Sequence, residues 1–125
     1  MNTTSEGVLP MKCIVKEIVG ENAITLEDGQ GVHDCIRPAL DRGEAVELDF
    51  SDVTVFASPF FNAAIGQLLK DHQAQELDRM LQVRNLNSAG QGLMRSVIEN
   101  ARRYYSSPDY RAAQERVLQE MFKEE

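Results

Sequence analysis

Glu47-Leu48-Asp49-Phe50-Ser51-Asp52-Val53-Thr54-Val55-Phe56-Ala57-Ser58-Pro59-Phe60-Phe61-Asn62-Ala63-Ala64-Ile65-Gly66 reads as strand, tight loop and helix, and the rest of the chain is arranged around it. Val46, Leu48 and Phe50 alternate with Glu47 and Asp49, the period of a strand with one buried and one polar face. Beyond the Ser51-Asp52 turn, Phe60, Phe61, Ala64, Ile65, Leu68 and Leu69 recur at three- and four-residue spacing. That spacing predicts a helix with Ser58 at the N-cap and Pro59 in the first helical position.

On the N-terminal side, residues 1–9 are polar and read as a flexible terminus. Met11 to Val19 alternates well enough for a strand, although Ile14 and Ile18 populate its second face. Gly20-Glu21-Asn22 reads as a turn and Ala23 to Leu26 as a second strand, so the opening is expected to be a hairpin. Gly29-Gln30-Gly31 reads as a turn into a helix marked by Val32, Ile36 and Leu40, which stops before Arg42-Gly43. Pro38 either kinks this helix or forces it to begin near Arg37, because an interior proline removes a hydrogen bond at a cost of about 3 kcal/mol.

On the C-terminal side, Arg79 to Leu86 is strand-like, and Asn87-Ser88 opens a helix with Gln91 in capping-box register. Leu93, Met94, Val97, Ile98, Ala101 and Tyr105 form its apolar face. A last helix is expected from Ser107-Pro108-Asp109, carrying Tyr110, Ala113, Val117, Leu118 and Met121. The order β-β-α-β-α-β-α-α predicts an α/β fold: one domain over residues 10–125, a four-stranded mixed sheet, and helices mainly on one face.

The chain has 125 residues, enough for one continuous core, with 42% apolar and 26% charged side chains. Its formal charge of −7 argues against non-specific nucleic-acid binding, which needs clustered Lys and Arg. No apolar run reaches the roughly 20 residues of a membrane span, and the first residues lack signal-peptide features, so a cytoplasmic protein is expected. Cys13 and Cys35 read as buried thiols, and His33 and His72 have no partners at metal-ligand spacing, so neither metal nor cofactor is expected. No P-loop or Gly-x-Ser-x-Gly elbow occurs, and Pro59 after Ser58 offers no N–H to an oxyanion, so no catalytic residue is assigned.

The stretch from Leu48 to Leu69 resembles the STAS domain, the fold of bacterial anti-sigma factor antagonists and of sulfate-transporter tails. That family carries an acidic strand end, a hydrophobic loop and an Asp-Ser-Ser-Gly-Leu-like turn into a helix. Here Ala57 stands for the Asp, Ser58 for the first Ser, Pro59 for the second and Phe60-Phe61 for Gly-Leu, closer to a divergent STAS-like group of unassigned function. The resemblance extends over roughly residues 22–86. It implies a regulatory protein-binding module in which Ser58 is phosphorylated by a partner, an ATP-binding Ser kinase of the anti-sigma type.

Asp52, Phe60, Phe61, Asn62 and Gln67 are the accompanying partner-binding candidates. Phe60 and Phe61 point about 100° apart, so either both enter the core or one stays at the rim as a partner anchor. The alternative is a constitutive interaction subunit, binding a partner or a second copy of itself, in which Ser58 serves only as an N-cap.

Overall fold

In a computed structural model that describes residues 10–106 and Arg116, strand β1 (Met11–Ile14) opens the fold. A short helix α1 (Val15–Val19) follows, then strand β2 (Asn22–Ala23) and helix α2 (Leu26–Asp41). Strands β3 (Val46–Asp49) and β4 (Val55–Phe56) precede helix α3 (Ser58–Ala64), which passes into a 3-10 helix over Gly66–Lys70. Helix α4 (Ala74–Met80), strand β5 (Leu81–Arg84) and helix α5 (Ser88–Ser106) complete the described elements. The flexible terminus expected at residues 1–9 and the last expected helix lie outside the described residues.

The sheet corrects the expectation of four mixed strands. Three strands in the order β1-β3-β5 are all parallel, with Cys13, Leu48 and Val83 in register, and a separate parallel pair joins β2 to β4. The expected hairpin does not form because Val15-Lys16-Glu17-Ile18-Val19 is apolar on two faces. It closes a helical turn that buries Val15 and ends at Gly20, whose φ of 79° is the left-handed conformation glycine tolerates. Residues 15–21 on one side and 50–54 on the other thus separate the β1–β3 ladder from the β2–β4 ladder.

Alternation along the strands separates two faces. Cys13, Val46, Leu48 and Leu81 belong to the core, while Lys12, Glu47 and Asp49 meet on the outer face, where Lys12 Nζ lies 3.8 Å from Glu47 and 3.9 Å from Asp49. A parallel sheet is usually covered on both sides. This one keeps a polar face because each strand is only four residues long and the register sets Lys12, Glu47 and Gln82 in one row and Asp49 beside Arg84 in the next.

Helix α2 starts a full turn earlier than the glycine pair suggested. Thr25 Oγ1 accepts from the Asp28 N–H at 3.0 Å, with Glu27 and Asp28 favourably placed in the first turn. Gly29 and Gly31 are therefore helical. Gly29 is required by a close approach, since a Cβ there would collide with the Phe60 carbonyl and lie 2.8 Å from the Ala63 Cβ. Pro38 is accommodated inside the helix near its end. Gly43, at φ 78°, then closes it with Gly43 N–H to Leu40 O at 2.9 Å and Glu44 N–H to Ala39 O at 2.9 Å, the paired bonds of a Schellman stop.

The helix expected to run unbroken from Ser58 to Leu69 changes character at Ile65. Gly66 sits where a Cβ would press within 3.3 Å of Val97 on α5, so the close packing of α5 holds this joint. Helix α4 was not foreseen, and it shortens the expected strand Arg79–Leu86 to β5. The Glu76 carboxylate accepts from the Gln73 N–H at 3.3 Å, a start signal legible in the sequence.

Candidate functional site

Strand β3 delivers Asp49 to the end of the sheet, where its Oδ1 accepts from the Ser51 N–H at 2.9 Å, the Ser51 hydroxyl at 2.7 Å and the Asn85 amide at 3.0 Å. The Asn85 and Ser51 hydrogen bonds, helped by the charge of Lys12, hold the Asp49 carboxyl down to about 2. Asn85 also donates to Ser51 Oγ at 2.9 Å, so one polar knot fastens the end of β3 to the end of β5. Asp49 is therefore a structural acceptor.

From this knot the chain turns outward. Val53 N–H bonds to Phe50 O at 3.0 Å, and Asp52 occupies the left-handed region at φ 64°, which Asp adopts more readily than most residues. Thr54 N–H then bonds to Glu21 O at 3.0 Å and Ala57 N–H to Ala23 O at 3.1 Å, which places the loop beside β2. Asn87 secures it from the other side. Its amide donates to Thr54 O at 3.1 Å while its Oδ1 accepts from the Gly90 N–H at 2.8 Å, so Asn87 caps α5 in place of Ser88. Gln91 donates to Leu86 O at 2.7 Å.

Ser58 is not the cap of α3. Ala57 holds that position at φ −139° and ψ 155°, and Ser58 is the first helical residue, followed by Pro59. The Ser58 hydroxyl is exposed and has no hydrogen-bond partner among the described residues. Ser-Pro at a helix start does not distinguish the cap from the residue after it; the extended loop backbone sets the frame one residue earlier.

The other candidates divide. Phe60 and Phe61 are both fully buried, which corrects their placement as partner anchors. Phe50 lies at the centre of their cluster, 5.8 Å from Phe56, 6.5 Å from Phe60 and 6.1 Å from Phe61 between ring centroids. Helix α3 is packed against both α2 and α5, so two ring directions 100° apart both lead inward. Gln67 is likewise committed internally, donating to Gln30 Oε1 at 2.9 Å and to Ala63 O at 2.6 Å. Asp52 and Asn62 are exposed.

Apolar residues around Ser58 are what the sequence reading missed. Leu26 is 59% exposed, Val55 47% and Ile24 39%. Val55 is in register with Asn22 in the β2–β4 ladder, and Ile24 follows the Ala23 carbonyl that receives Ala57. Ile24, Leu26, Val55 and Ser58 therefore all lie within three residues of one hydrogen bond. Treating Ala23 to Leu26 as a strand hid this grouping; Thr25 followed three residues later by Asp28 was the signal for a helix start that would have exposed Leu26.

Elsewhere, His72 is held between Asp41 at 3.2 Å and Glu76 at 3.3 Å, and Arg102 and Arg103 both pair with Glu99. Among the described residues no three His, Cys, Asp or Glu side chains group to hold a metal ion, and no helix is long and apolar enough to cross a membrane.

Residues 28–91 match the model of a family described as a STAS-like domain of unknown function (DUF4325). No curated protein and no solved structure matches the chain.

Proposed function

The chain belongs to that family of STAS-like domains, and from this premise we propose that it is a non-catalytic regulatory module of the cytoplasm, docking a protein partner on the surface around Ser58. The observation that carries the reading is the exposed apolar group Ile24, Leu26 and Val55 beside an exposed, unbonded Ser58 hydroxyl. Apolar side chains at a loop end gain by burial, at about 25 cal/mol per Å2 removed from water. Phosphorylation of Ser58 would set about −1.5 to −2 charges next to them, and burying that charge against a partner without compensation is strongly unfavourable.

The partner is an ATP-binding Ser kinase of the anti-sigma type, which docks on unmodified Ser58 and is released when it phosphorylates that hydroxyl. Because Ser58 makes no capping bond, its hydroxyl can be modified without dismantling the helix start. Affinity capture from the native host with wild-type, Ser58→Asp and Leu26→Ser baits tests this, with the intact mass of the wild-type bait read alongside. An ATPase captured by wild type and lost with both variants, together with a phosphate-sized mass on Ser58, is the expected result. Equal capture by wild type and Ser58→Asp with no modified form would overturn the switch and leave a constitutive interaction subunit.

A further inference from the structure

Helix α5 divides its apolar stripe between two neighbours. Val97 is buried against Gly66, where an added Cβ would lie 3.3 Å from it, and Ala101 borders the same joint. Met94 and Ile98 stay half-buried and line an open apolar groove of about 510 Å3, together with Ile65, Leu77, Leu81 and Val83. The groove continues at both ends. It shares Ala74 and Gln75 with a hollow bordered by Arg102, Tyr105 and Ser106, and it shares Val83, Met94 and Ile98 with another bordered by Gln91 and Arg95. A trough thus follows α5 from its last residue, Ser106, back to Gln91.

We propose that residues 107–125 of this chain fill the trough as an amphipathic helix, turning back at Ser107-Pro108 and running antiparallel to α5. Pro108 cannot continue α5, and a short link of this kind joins antiparallel helix pairs. Tyr110, Ala113, Val117, Leu118 and Met121 recur at helical spacing, a stripe that needs a second apolar surface to bury it. Arg116, off that stripe, is helical and exposed. At about 1.5 Å per residue, a helix over residues 109–125 is about 25 Å long, against about 22 Å along α5 from Ser106 to Gln91. The antiparallel register sets Tyr110 by Tyr105, Val117 by Ile98 and Met121 by Met94. It also brings Glu120 to Arg95, which is exposed and makes no ion pair among the described residues. Because the segment leaves α5 at the mouth of the trough, its tether gives it the advantage over a second copy or a free partner.

The inference stands apart from the docking reading, since none of Ile24, Leu26, Val55 and Ser58 lines the trough. It is tested by nuclear magnetic resonance on the full chain carrying carbon-13 in the methyls of its five methionines, with Met94→Leu and Met121→Leu assigning the two signals of interest. A nuclear Overhauser contact between the Met94 and Met121 methyls, in a sample that sediments as a monomer, is the expected result. Val117→Asp should abolish that contact and move both signals toward the position of free methionine, while Arg116→Ser leaves them in place. Should Val117→Asp not fold, the wild-type contact alone decides. A Met121 signal at the free-methionine position in the folded wild type would overturn the inference and leave the trough to a partner. A contact seen only in a dimer, and lost on dilution, would overturn it in favour of a second copy.

Discussion

Ser58 and Asp49, at the two ends of the loop, are opposite cases: one side chain unbonded, the other the loop's main acceptor. The Ser58 hydroxyl bonds to nothing among the described residues, so Ser58→Ala should leave stability within about 0.5 kcal/mol of wild type by chemical denaturation. A larger loss would mean that the hydroxyl caps after all. The Asp49 carboxylate, by contrast, receives three hydrogen bonds. Asp49→Ala should cost about 2 kcal/mol or more at neutral pH, because the Ser51 N–H and hydroxyl lose their acceptor and Asn85 keeps only its bond to Ser51 Oγ. Urea denaturation at pH 7 and pH 3 should show the gap narrowing in acid, as the carboxylate begins to protonate in the unfolded chain. The acidic strand end was legible in the sequence; its partner Asn85 was not, since no local rule links positions in separate strands.

At the scale of elements, two glycines in helices make opposite predictions. Gly29→Ala would set a methyl against the Phe60 carbonyl and Ala63, and should destabilise by about 1–3 kcal/mol despite alanine's better helix propensity. Gly92→Ala in α5 meets nothing within 4 Å and should stabilise by up to about 1 kcal/mol. Thermal melts of both variants check the pair, and a stabilised Gly29→Ala would mean that α2 and α3 are less closely packed. The sequence marked β3, the start of α3, the stop of α2 and the opening of α5 through alternation, Ser-Pro, Arg42-Gly43 and Asn87-Ser88. It misplaced elements where apolar residues had two periods at once, as in Val15–Val19, and where glycines inside a helix imitate a turn.

For the whole molecule, acid should act in two windows. His33 is 4% exposed with no partner for Nδ1 among the described residues, and its pKa is lowered, first by burial and then by the Arg37 charge, against the opposing pull of Asp34, the Ala64 carbonyl and Asp41. A depressed folded pKa means that the neutral ring favours the fold. That contribution is complete above the unfolded value of about 6.5 and is lost as pH falls below it. Asp49 acts lower, its contribution intact above 3.8 and lost as pH falls towards about 2. Stability measured from pH 8 to pH 2 should therefore fall in two steps, and His33→Leu should flatten the first alone; an unchanged first step would assign it to other groups. The α/β class followed from element order. The all-parallel pairing did not, because the order of strands across a sheet is fixed by contacts far apart in sequence.

The open edges of the three-stranded sheet have a further effect on how the protein behaves when concentrated. Among the described residues no strand pairs beyond β1 or β5, and each of these is four residues long and ends or is interrupted in charge, with Lys12 on one and Arg84 on the other. Short, charged borders are poor templates for cross-β growth. Self-association at high concentration will therefore run through the sticky apolar corner at Leu26 and Val55 and not through edge-to-edge ladders, giving small, dilution-reversible clusters in place of fibrils.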